Sequence, residues 1–252
     1  MKQKNLIAYI SIILAVDFAF WDKINPYWFI LIDFAILGLC ILLNKVEDWF
    51  FTSNHKWVDK LYFKFTKNLY PYIVNNRTIV YNILTKDSAE FSNSSEITVT
   101  DAKDDFFVNG HYQWEQDADI DFQYTGDEDF ACSRTESFNW VEIKMHPIEM
   151  VSKNRQHKVG FQLKNLQIKN LVRHSFLRVH ITHKIRKMKL VAKVNKNLNP
   201  INGKLVMFDS NVKVIKTEPI TYNEQNESFT KNLHYPRVGR YYAIQWEYNI
   251  SK

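Results

Sequence analysis

Between residues 141 and 196 the chain carries fourteen Lys or Arg against two Glu, whereas residues 101–129 hold ten Asp or Glu against one Lys. A basic tract of this density attracts a phosphate-bearing partner and speeds its arrival. In "HKVGFQLKNLQIKNLVRHSFLRVHITHKIRKMKLVAKVNK" the cations alternate with Phe161, Leu163, Ile168, Phe176 and Val179, so much of the charge should share strand faces. A solvated sheet face, contact with the acidic tract and contact with anionic lipid compete with an anionic ligand as readings of the same residues.

Other constellations point away from chemistry. Asp117, Asp119, Asp121 and Glu128 fall at positions 1, 3, 5 and 12 of a calcium-loop pattern, but Phe122 replaces the glycine required at position 6. The alternation Asp-Ile-Asp-Phe of a strand explains them more simply. His180 and His183 would point to opposite faces of a strand, which disfavours a zinc site with His174. With only six glycines, the chain has no phosphate-cradling or nucleophile-elbow motif. Neither enzymatic activity, a metal nor a cofactor is expected. Cys40 and Cys132 are the only cysteines, so no disulfide framework is implied.

The elements that would position the basic tract are strands. From about Thr78 onward the apolar period is two. In "YYAIQWEYNI" Tyr242, Ile244, Trp246, Tyr248 and Ile250 share a face, Asn109-Gly110 reads as a hairpin turn, and residues 199–203 and 209–211 read as turns of a meander. About eight to ten strands in an antiparallel barrel or sandwich are expected over residues 75–252.

The N-terminus reads differently. Residues 6–21 and 27–43 are apolar runs near the minimum for crossing a bilayer, joined by a polar turn with Pro26. Residues 1–48 are therefore expected to form a transmembrane α-helical hairpin; a signal peptide and a buried soluble hairpin are the competing readings. Lys2, Lys4, Lys45, Lys56, Lys60, Lys64 and Lys67 against Lys23 alone in the turn place both termini in the cytoplasm. At 1.5 Å per residue, Asp17 and Asp33 lie ~8 and ~10 Å from the turn, a matched pair in the spans. Such carboxylates face either a hydrated path between assembled hairpins or the outer headgroups. Residues 49–74 form a basic amphipathic linker in which Lys56, Lys60, Lys64 and Trp57 would contact lipid.

Two apolar runs, "NLIAYISIILAVDFAFW" and "YWFILIDFAILGLCILL", followed by strands from "NGHYQW" to "YYAIQWEYNI", resemble the two-transmembrane, β-strand-rich effectors of CBASS-type bacterial antiphage signalling. The resemblance implies a cytoplasmic β-barrel that binds a cyclic di- or oligonucleotide, oligomerises, and drives the helices to form a pore in the bacterial inner membrane. Under it, Lys158, Lys164, Arg173, Arg178, Lys184 and Arg186 would neutralise phosphates while Trp114, Tyr242 and Trp246 stack on bases. DNA is not an expected partner. A constitutive membrane-anchored scaffold for a protein partner and an exported, tethered β-sandwich are the alternatives.

Overall fold

The computed structural model describes residues 60–61, 63–65, 70–100, 108–112, 120–137, 140–149, 151–152 and 154–249. The chain divides into two units, Met1–Asn54 and His55–Lys252, and every described residue belongs to the second.

Strand-forming alternation begins at once. In β1 (Tyr72–Ile83) Ile79, Tyr81 and Ile83 turn inward at a spacing of two. It continues through β2 (Ser88–Val99), β3 (Val108–Tyr112), β4 (Asp121–Tyr124), β5 (Phe130–Ser137), β6 (Trp140–Pro147) and β7 (Gln156–Gln167). The remaining strands are β8 (Phe176–His180), β9 (Ile185–Val194), β10 (Pro200–Phe208), β11 (Val214–Pro219), β12 (Ser228–His234) and β13 (Tyr241–Tyr248). They form a six-stranded sheet ordered β12-β9-β1-β2-β7-β4, a four-stranded sheet ordered β11-β10-β13-β8, and a three-stranded sheet ordered β3-β6-β5. One apolar cluster draws on all three sheets, with Ile79, Phe161, Leu163, Leu190, Ile143 and Ile244 among its members.

Three expectations need correction. The β region is not a closed barrel: each sheet keeps two edges, because β1 lies inside its sheet and β12 and β4 take the edge positions. It is also not purely antiparallel, since β1 pairs antiparallel with β2 but parallel with β9, in register from Val74↔Ile185 to Ile83↔Val194. Finally, no helix among the described residues is long and apolar enough to cross a membrane; the described backbone instead satisfies its hydrogen bonds between strands. The transmembrane, multi-pass inner-membrane and pore-forming expectations therefore have no spanning element here, and the hairpin residues, Asp17 and Asp33 included, lie outside the described residues.

The linker yields one more result. Residues 60, 61 and 63–65 are helical, and Phe63 rather than Leu61 or Phe65 is the residue that docks. Its ring lies 5.2 Å from that of Tyr235 and beneath the Arg186 guanidinium at 5.8 Å, whereas Phe65 is 78% exposed. Lys60 and Lys64 are exposed; Lys56 and Trp57 lie outside the described residues.

Candidate anion-binding site

The inward face of β1 and β2 would be wholly apolar if its period held throughout. Arg77 breaks it, occupying the parity of Ile79, Tyr81 and Ile83. On the neighbouring strand Asn93 and Ser95 break it too, between Phe91 and Ile97. Arg77 and Asn93 satisfy each other: Arg77 donates from Nε to Asn93 Oδ1 at 3.1 Å. Asn93 is buried and Arg77 half-buried. This use of Nε leaves both terminal NH2 groups of the guanidinium, four N–H donors, available to another acceptor.

Above that face runs β8, the edge strand of the four-stranded sheet. Arg77, Ile79, Phe91 and Asn93 on one side and Arg178, Val179, His180 and Thr182 on the other enclose a cavity of about 80 Å³. One water needs ~10–15 Å³ measured this way, so the space suits a group of roughly five to eight heavy atoms. A phosphate or a short carboxylate fits; a whole nucleotide does not. Neither Arg77 nor Arg178 forms an ion pair with a carboxylate among the described residues.

Aromatic rings flank Arg178 and its neighbours on β8. The Arg178 guanidinium lies 5.8 Å from the centroid of Tyr241, and His180 stacks on the same tyrosine at 4.2 Å and 14°. The pairing is cross-strand, Tyr241 opposite His180. Behind Thr182, whose hydroxyl lies 2.9 Å from His183 Nδ1, the His183 ring stacks on Tyr72 at 4.7 Å. Burial, aided by the positive charge of Arg77, pulls His183 down to about 4, so its imidazole is neutral at neutral pH. Burial likewise lowers Arg77, but a guanidinium starts so high that it stays charged. At neutral pH Arg77 and Arg178 therefore give the cavity positive charge to which His183 adds none.

The basic residues expected from sequence do not converge. Arg178 reaches the cavity. Lys158 and Lys164 stand on β7, the latter opposite Asp121 of β4, and Arg173 is exposed in the 3-10 turn Leu171–His174. Arg186 covers Phe63. Lys184 is 2% exposed with its Nζ 5.6 Å from the Tyr70 ring, and burial, with Arg237 nearby, lowers it to about 8. Tyr242 and Trp246 are core residues: the Tyr242 hydroxyl accepts from the Arg237 backbone N–H, and Trp246 packs on Phe229. Trp114 lies outside the described residues. Charge density missed Arg77 and Asn93, which stand outside the basic stretch, and Thr182, which lies within it but carries no charge. The signal that could have found Arg77 is its parity, a lone cation at an inward position of an otherwise apolar strand face.

No family model matches the sequence, and no curated protein matches it. Among solved structures the chain is similar to a candidate protease from Parabacteroides distasonis, with TM-score 0.44 and 10% identity over 71% of this chain and 41% of that one. It is also similar to an M1 zinc metallopeptidase from Deinococcus radiodurans (TM-score 0.36, 4% identity, 69% and 42% covered). A third similar structure is leukotriene A4 hydrolase from Saccharomyces cerevisiae (0.35, 9%, 70% and 29%). The chain spans less than half the length of each, and likeness at these scores assigns neither fold nor activity.

Proposed function

We propose that the β-rich unit is a binding module that seats an anionic group, a phosphate or carboxylate, between Arg77 and Arg178. The supporting observation is the pair of arginines, on two different sheets, among the residues that line one small cavity, without a carboxylate paired to either among the described residues. Arginine's planar fork suits such oxyanions, and charge-assisted bonds from it are the stronger kind. A cyclic oligonucleotide, the ligand implied by the sequence resemblance, would engage through one phosphate while its remainder stayed outside. Binding is favoured over turnover because the hydroxyl–imidazole contact at the cavity, Thr182 with His183, has an imidazole near 4, a weak base at neutral pH.

Calorimetric titration of the full chain with inorganic phosphate, acetate and a panel of cyclic oligonucleotides tests the reading. Arg178→Gln should weaken the best-bound anion about 10- to 100-fold without changing thermal stability, since Arg178 is exposed and a hydrogen bond to a charged group contributes ~1.5–3 kcal/mol. Arg77→Gln should weaken it at least as much. Unchanged affinity in both variants would reject the site.

A further inference from the structure

The strand β8, which lines the cavity through Arg178, Val179 and His180, is also the edge of its sheet. Ile181 donates to the Arg240 carbonyl at 2.9 Å and Ser175 accepts from Trp246 N–H at 3.0 Å, so odd-numbered residues of this stretch point their backbone groups at β13. In an antiparallel ladder the alternate residues must then point the other way. The N–H and C=O of Phe176 and Arg178 therefore face the side of β8 away from β13, where the sheet ends and no described residue hydrogen-bonds to them.

The two outer strands of this sheet differ. β11 carries Lys213 before it and Lys216 within it, ends in Pro219, and ties Glu218 to Lys216 and Lys231, features that discourage strand addition. β8 has no proline and no acidic residue, and presents Phe176 (48% exposed) beside Arg178. An unpaired edge of this kind accepts an extended peptide as an added strand, with main-chain bonds supplying affinity and alternate side chains supplying specificity.

We propose that the partner of the Arg77–Arg178 cavity is an extended acidic peptide that adds to β8 and inserts one carboxylate side chain into the cavity; this rests on the anion-site reading above. Two rungs, Phe176 and Arg178, offer four main-chain hydrogen bonds. Successive residues of the added strand point to opposite faces, so one glutamate per two residues points toward Arg77 on the floor. The cavity admits only the head of one side chain, which makes a single central glutamate the specificity element.

The test uses the full chain with the blocked peptide Thr-Val-Glu-Val-Thr, its Gln analogue, a version N-methylated on its edge-facing amides, and acetate and inorganic phosphate as bare anions. The Glu peptide should bind at least tenfold more tightly than the Gln peptide, the N-methylated peptide or acetate, and should slow amide exchange at Phe176 and Arg178 at least tenfold. Arg178→Gln should abolish the preference for Glu over Gln. If the bare anions bind but the Glu peptide gains nothing over acetate, or N-methylation costs nothing, strand addition is wrong while the anion site stands. Absence of binding by every anion and peptide overturns both. Protection of the same two amides that rises with protein concentration and without peptide would show a second copy on the edge and also overturn the proposal.

Discussion

His183 links stability to pH with the same sign as a carboxylate held below its ordinary value, but in a higher pH window. Its folded value near 4 lies below the ordinary 6.5, so between those limits the unfolded chain binds a proton that the folded chain does not. Stability should therefore fall as pH drops from 6.5 to 4, by about 2 kcal/mol from this group. Urea denaturation at pH 7 and 4.5 measures the loss, and His183→Gln should shrink it. The same imidazole reports on the cavity: an anion that neutralises Arg77 removes one of the two causes of the depression, so ring-proton titration by NMR should show His183 moving upward in saturating phosphate. At this scale the sequence was only partly legible. Arg178 lay in the basic tract that charge density picked out, but density cannot tell Lys184, sealed beside Tyr70, from Lys158 on an open face. The separation comes from neighbours remote in sequence.

Among the elements, β10 shows how a turn signal can be absorbed into a strand. Residues 199–203, expected as a turn, carry two left-handed positions, Asn199 at φ 48° and Asn202 at φ 54°, yet from Pro200 they belong to β10, whose ladder with β13 slips between Ile201 and Lys204. Gly203 follows at a close approach, where a Cβ would lie 2.3 Å from the Phe229 ring and 2.6 Å from the Ile220 carbonyl oxygen. Gly203→Ala should cost about 1–3 kcal/mol in chemical denaturation, because Phe229 is itself held between Tyr222 and Trp246. On the neighbouring β11, Glu218 is pulled down to about 2 by hydrogen bonds from Lys216 and Lys231. Its contribution is present above the ordinary carboxylate value of 4.5 and is lost as pH falls toward 2. The groups are substantially solvated, so Glu218→Gln should cost no more than about 1 kcal/mol at pH 7 and nothing at pH 2, by thermal melts at both. The Asp209 turn was legible, with its carboxylate capping Asn211 and Lys213 N–H groups. Asn109-Gly110 was misleading: both lie inside β3, opposite Lys144 and Ile143, because pairing with β6 outweighs a two-residue preference.

For the whole molecule, local alternation identified a β-rich unit but carried no information on which strands meet. The expectation of an antiparallel barrel or sandwich says nothing of a parallel pair, whereas β1 holds β9 at its second edge and β12 extends the sheet beyond it. That pairing is also the one on which the six-stranded sheet depends, since β1 and β9 supply Ile79, Ile83, Leu190 and Val194 to the common core. Ribosome-stalled chains ending before β9 should be cleaved readily within β1 by a low dose of protease, whereas chains carried past β13 should resist; equal resistance would show that β1 and β2 stand alone. The parallel pair sets a clock for synthesis. Val74 waits for Ile185, 111 positions later (185 − 74), which at about 5–20 residues per second is roughly 5 to 20 s of translation with one flank of β1 unclaimed. For this chain, the time of greatest exposure to misassociation is set by translation speed, and slow codons between β2 and β9 would lengthen it.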